Sequence, residues 1–211
     1  MSVKLIWITP NAQDVISYCA RVSNPANQEN YDTAPRLLKY CAKNKHWSVF
    51  EQASMCIEVE TTRGISAQIL RHRLQAQEFS QRYASVDDTG IEIPHLRRQD
   101  HKNRQNSIDD IPDINDAFRE RIEKHFAESH QLYRDLLDQG VAKECARFVL
   151  PLSTKTRLYL SGNIRNWIHY CQVRCDPATQ KEHRDIAMKV RDILLEQLPS
   201  LREILDLETK V

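Results

Sequence analysis

Glycine is scarce in this chain, and that scarcity excludes whole classes of binding site. Only Gly64, Gly90, Gly140 and Gly162 occur, and no two lie close enough to form GxGxxG or a Walker loop. Neither a Rossmann dinucleotide fingerprint nor a P-loop is available, so any nucleotide must be held by side chains and helix ends. Charge of one sign is lacking too. The 30 basic and 29 acidic residues leave a formal charge of +1, which argues against the bulk basic field of a sequence-independent nucleic-acid binder. Nothing approaches the roughly 18–20 apolar residues of a membrane span, and the short run in "MSVKLIWITP" carries no signal-peptide cleavage site. The six cysteines, Cys19, Cys41, Cys56, Cys145, Cys171 and Cys175, form no CxxC and are scattered through segments that read as core, which predicts a reducing cytoplasm.

What is present fits one α+β domain over residues 1–211, with a mixed β-sheet core surrounded by helices. "VKLIWIT" has strand composition, and Asn11 is a candidate N-cap for a helix carrying Val15, Ile16 and Cys19. Ala34 to Lys43 places Leu37, Leu38 and Cys41 on one helical stripe. "SMCIEVETT" alternates like a strand with one wet face. A helical period starts at Arg63 with Ile65, Ile69 and Leu70. Residues 90–115 are polar and predict a surface loop. "DAFRERIEKHFAESHQLYRDLLDQG" then repeats Phe118, Ile122, Phe126, Tyr133, Leu136 and Leu137 as a long amphipathic helix closed by Gly140. "VAKECARFVL" predicts a shorter helix, "TRLYLS" a strand, and "NIRNWIHYCQV" and "DIAMKVRDILLEQL" two more helices, the last stopping at Pro199.

One stretch concentrates the chemistry. "RHRLQAQEFSQRY", Arg71 to Tyr83, begins on the last turn of the helix from Arg63 and runs into the loop beyond, with Gln68 and Arg71 expected on one face. Arg71, Arg73 and Arg82 present planar forks that match oxyanions, Ser80 adds a hydroxyl, and Glu78 accepts from a sugar hydroxyl or a base N–H. The same residues also fit an exposed, salt-bridged helix end. Arg147 in "ARFVLP" and Arg174 after "WIHYCQV" are charges set in apolar surroundings, where a charge must be paired or serve a ligand. The set His169, Cys171, Cys175 and His183 matches no common zinc spacing and reads as core, so no metal site is assigned. No cysteine or serine nucleophile with a general base stands out either.

The motif resembles the RHRxxSxNExSxRY signature of flavin-dependent thymidylate synthases. "ARVS", "HWSVFEQ", "AQILRHR", "ARFVLP", "NIR" and "VRCDPATQKE" follow in that family's order with similar spacings. The resemblance implies an intertwined homotetramer with shared active sites, making dTMP from dUMP with 5,10-methylenetetrahydrofolate as carbon donor and FAD, reduced by NADPH, as hydride source. It implies dUMP contacts from Gln68, Arg71, Glu78, Ser80, Arg82 and Arg147, with Arg174 favouring the ionised uracil ring. FAD contacts are implied at Ser23, His46, Ser48, Glu51, His72, Arg73, Asn163, Arg165 and His169. The chain departs from the pattern by being one residue shorter between "RHR" and Glu78, with Ala76 for serine and Gln77 for asparagine. Val49, Gln52 and His169 also stand where proline, histidine and asparagine are usual. Two other readings keep the site: a related enzyme that hydroxymethylates a deoxynucleotide, and a non-catalytic nucleotide- or RNA-binding relative.

Overall fold

The computed structural model describes residues 1–86 and 90–207. The N-terminal apolar run forms β1 (Ser2–Ile8), followed by α1 (Ala12–Ala20) and α2 (Ala34–Lys43). Then come β2 (Ser54–Thr62), α3 (Arg63–Ile69) and β3 (Gln75–Glu78), two short strands β4 (Arg98–Gln99) and β5 (Ser107–Ile108), and the long α4 (Pro112–Asp138). The chain ends with α5 (Lys143–Ala146), β6 (Lys155–Asn163), α6 (Ile164–Arg174), α7 (Lys181–Gln197) and α8 (Arg202–Leu207). One sheet has the order β1-β2-β6-β3, and β4 pairs antiparallel with β5, Arg98 opposite Ile108. The fold class is α+β.

Several boundaries differ from the sequence reading for local reasons. Asn11 does precede α1, but at φ 50° and ψ 42°, and its side chain makes no capping bond. The wet face of β2 is confined to Glu58 and Glu60, since Cys56 and Thr62 on the same side are buried. β2 lies between β1 and β6, which explains the extra cover. α3 ends at Ile69, so Arg71, expected on its last turn, lies two residues beyond it, and part of the expected loop is the strand β3. The polar 90–115 segment is not loop throughout: it holds the β4–β5 pair and the start of α4. Pro112 opens that helix, where its fixed φ and missing N–H cost nothing.

The chain divides into two compact units. The first comprises Met1–Val59, Leu70–Ala76 and the residues from Tyr159 onward; the second comprises Glu60–Ile69 and Gln77–Leu158. In the first, α1 packs on α2 and α6 on α7. Ile16, Leu38, Phe50, Met55, Trp167, Val190 and Leu194 are fully buried there, each contributing on the order of 1.5–3 kcal/mol of transfer free energy. The Trp167 indole N–H donates to the Met55 carbonyl at 3.0 Å, which ties α6 to β2 without leaving a polar atom stranded.

α6 starts where Asn163 turns out of β6: its side chain accepts from the Asn166 N–H at 2.9 Å, and the Ile164 N–H donates to the Ala53 carbonyl at 2.9 Å. Such a cap contributes about 1 kcal/mol. In the second unit Tyr133, Val86 and Ala146 form a small core with Leu136, Leu137, Val141, Val149 and Leu150 packed on it. α4 closes as expected at Gly140, φ 79°, whose N–H reaches the Leu137 carbonyl while the Val141 N–H reaches Leu136. Both bonds need the left-handed turn that glycine adopts at no steric cost.

Candidate active site

The first unit holds a cluster around His72. The turn that carries Arg71, His72 and Arg73 follows α3 and is seated by Leu74, whose Cδ2 lies where a Cβ on Gly162 would come within 2.6 Å. β6 thus accepts the turn closely because Gly162 has no side chain. From α6, the Arg174 Nε–H donates to His72 Nε2 at 2.7 Å. A guanidinium Nε can only donate, so that ring nitrogen accepts and the proton of the neutral imidazole sits on Nδ1.

Burial, and after it the charges of Arg174, His169 and Arg71, lower the His72 pKa to about 4. Arg174 therefore keeps its full positive charge beside a neutral partner. Its two Nη groups are not used by His72. Tyr170 packs edge-on to His72, with ring centroids 4.9 Å apart at 82°, and His183 bonds the Tyr170 hydroxyl through Nε2 at 3.1 Å.

The remaining first-unit candidates are mostly exposed: Ser23, His46, Ser48, Glu51, Arg71, Arg73, Arg165 and His169 face solvent. His46 stacks edge-on to Tyr40 at 6.0 Å, and Arg165 pairs with Glu51 at 2.5 Å. Asn163 is the α6 cap, a structural role that the sequence did not announce. The donor set suits a flavin dinucleotide. Two guanidinium groups, Arg73 and Arg165, match a diphosphate, and hydroxyl, imidazole and carboxylate groups are available for ribityl and ring atoms. Exposed donors of this kind need no glycine loop.

The second unit holds the other candidates. Glu78, at the end of β3, has a side chain only 16% exposed, and its Oε1 takes three donors: Arg63 Nη1 at 2.6 Å, Ser66 Oγ at 2.8 Å and Thr156 Oγ1 at 2.9 Å. These three donors were not singled out from the sequence. Arg63 and Ser66 sit on α3, five and two residues before Gln68, so two donors three apart on one helix face were a readable signal; Thr156, on β6, was not. Arg82 pairs with Glu144 at 2.9 Å, its backbone N–H lies 3.4 Å from the Ser80 hydroxyl, and Arg147 Nε reaches the Glu144 carbonyl at 3.2 Å. Arg82 and Arg147 thus meet at one residue.

Cys41, Cys56 and Cys171 are poor nucleophiles. Burial raises the pKa of Cys41 and Cys56, and Cys171 is raised further by its contact with Cys175, which is lowered in turn. All six cysteines are free. Among the described residues no group of His, Cys, Asp and Glu has the arrangement of a metal site, and no helix is long and apolar enough to cross a membrane.

The fold has solved counterparts. The UMP/dUMP methylase PolB from Streptomyces cacaoi bound with 5-Br UMP superposes with a TM-score of 0.86, covering 100% of this chain and 95% of that one at 24% identity. Its complex with 5-Br dUMP gives 0.84 at the same identity. At the level of sequence, the Thy1 family, thymidylate synthase complementing protein, matches residues 4–200, and the chain belongs to that family. It is 51% identical to the probable flavin-dependent thymidylate synthase of Paramecium bursaria Chlorella virus 1, over 98% of this chain and 99% of the relative. It is 50% identical to the flavin-dependent thymidylate synthase of Synechocystis sp., over 92% and 89% respectively.

Proposed function

We propose that this chain is a flavin-dependent thymidylate synthase that methylates dUMP to dTMP. Relatives of that activity match half of its residues over nearly the whole chain. The observation that carries the chemistry is Arg174: a half-buried cation hydrogen-bonded to a neutral imidazole, with no salt bridge to a carboxylate among the described residues.

A fixed cation beside the uracil ring stabilises the negative charge that develops when the ring acts as a nucleophile, a donor contribution of roughly 3–4 kcal/mol. No thiolate need add to the ring, which agrees with the raised pKa of Cys41, Cys56 and Cys171. Arg71, Arg82 and Arg147 take the nucleotide phosphate, while Gln68, Glu78 and Ser80 contact the sugar and base. Arg63, Ser66 and Thr156 fix one oxygen of Glu78, so its orientation is set before the nucleotide arrives. Ser23, His46, Ser48, Glu51, His72, Arg73, Asn163, Arg165 and His169 hold FAD. When bound and reduced by NADPH, the flavin supplies hydride chemistry, and 5,10-methylenetetrahydrofolate supplies the carbon.

We further read the protein as a cytoplasmic homotetramer. Tyr83 at 84%, Phe148 at 81% and Leu152 at 75% exposure in the second unit are large apolar side chains that an assembly would cover. Light scattering of the purified protein checks the assembly.

The decisive experiment is the visible spectrum of the purified protein, followed through NADPH addition with and without dUMP, and then the mass of the nucleotide product. A yellow protein, bleached by NADPH and yielding a methylated product, is expected. Absence of both bound flavin and methylation under reducing conditions overturns the reading, and a hydroxymethyl product redirects it.

A further inference from the structure

α7 carries a histidine in its apolar stripe. His183, Ile186, Ala187, Val190 and Leu194 follow a helical spacing and are all buried, with His183 at 0% exposure. A polar ring in that position must find a partner or lose the hydrogen bonds that water gave it. It finds Tyr170, itself only 1% exposed, whose hydroxyl lies 3.1 Å from His183 Nε2.

The pair is part of a packed set of rings. Trp167 meets Tyr170 edge-on at 5.8 Å, Tyr170 meets His72 at 4.9 Å and 82°, and His72 meets His183 at 6.1 Å and 80°. Trp167 is itself tied to the Met55 carbonyl, so the set is anchored at one end to β2. At the other end stands the Arg174–His72 bond of 2.7 Å.

We propose that Tyr170 and His183 are positioning residues for Arg174, because they hold the His72 ring edge-on with Nε2 toward the Arg174 Nε–H and so aim the rest of the guanidinium at the pyrimidine. Arg174 offers five N–H groups in a planar fork, and spending the Nε–H on His72 leaves the Nη face for a ligand. Rotation or protonation of His72 would remove the acceptor and put a cation against the guanidinium.

Of the groups that face His72, Arg174, His169 and Arg71 favour its neutral form. Arg71 comes from the same turn, Arg174, His169 and Tyr170 from α6, and His183 from α7. Among them are two permanent cations and no carboxylate. His183 is held neutral in the same way, by burial first and then by Arg174 and His72, which lower its pKa to about 3. The buried Tyr170 hydroxyl stays protonated, its pKa raised by burial. This inference rests on the assignment of Arg174 to the uracil ring, but its first test does not.

That test is the nitrogen-15 NMR spectrum of His72 in the ligand-free protein from pH 5 to 8. The native chain is expected to show a single neutral tautomer, with Nδ1 protonated, across that range. The double variant Tyr170→Phe with His183→Leu removes both polar groups of the hydrogen-bonded pair together, so the buried Tyr170 hydroxyl is not left without its imidazole. In it, His72 is expected to show mixed tautomers and to take up a proton above pH 5. If the double variant does not fold, Tyr170→Phe alone carries the same readout.

The second measurement is dUMP affinity against pH. The variant is expected to lose at least tenfold at pH 5.5 and less than threefold at pH 8, whereas His183→Gln alone, which keeps the Tyr170 hydroxyl and offers it an amide, is expected to stay within threefold of the native protein at both. A folded variant whose His72 spectrum matches the native one across the range overturns the inference. Failure of the native protein to bind dUMP at any pH, with the His72 spectrum as expected, would instead count against the proposed function.

Discussion

Arg174 and Arg82, both given to the nucleotide under the proposed function, are held by opposite kinds of partner. In the first unit, Arg174 bonds to an uncharged imidazole, and burial keeps that imidazole uncharged. In the second, Arg82 bonds to the carboxylate of Glu144, with the two side chains 62% and 50% exposed. A guanidinium against a neutral base keeps its whole charge for a ligand. One in an exposed ion pair holds a partner that water and phosphate can displace at low cost. The first arrangement suits charge stabilisation at a reacting ring, and the second suits reversible capture of an anion.

The comparison is broken most directly by Arg174→Ala, which is expected to cut the rate of dTMP formation by 10²–10³, about 3–4 kcal/mol. Flavin should remain bound, and the visible spectrum checks this. If turnover is unchanged, the neutral imidazole serves no charge. Next in size is Glu78→Leu, which strands the buried-side donors Arg63, Ser66 and Thr156. A loss of roughly 3 kcal/mol in urea unfolding is expected, larger than any change at the exposed pairs.

The histidines predict a pH effect of intermediate size. The folded pKa of His183, about 3, lies below its ordinary value of 6.5, so between those values the unfolded chain binds a proton that the folded chain does not. Stability from this residue is complete above pH 6.5 and is lost as pH falls. It should drop by about 2 kcal/mol from pH 7 to pH 5, and His183→Gln should flatten the profile. Urea titrations at the two pH values measure it. The smallest effect is expected from Glu144→Ala, which should alter stability by less than about 1 kcal/mol while strengthening phosphate binding at low salt. Isothermal titration with dUMP at two ionic strengths separates these outcomes.

Much of the architecture was readable locally. α2 spans the residues its apolar stripe marked, α4 ends at the glycine expected to close it, and α6 and β6 fall where their periods changed. Short-range rules sufficed there because the interactions that end helices and set strand faces lie within a few residues. Where they failed, a tertiary contact intervened. β3 has no period of its own in "QAQE" and exists because β6 pairs with it. Cys56 and Thr62 look like wet-face residues but are covered, since β2 is an inner strand.

The candidate site divides in the same way. The arginines of the motif, Glu78 and Arg174 stood out as charges in unusual company. Their partners did not: Thr156 lies 78 residues from Glu78, and Arg174 lies 102 from His72. The order of the residues thus determined the elements, the absence of a glycine loop and the family. Folding alone decided that a histidine from a turn would meet an arginine from α6 over a buried tyrosine. Hydrogen bonds between distant segments leave no periodic trace in a chain, because their geometry arises only when the sheet and helices have packed.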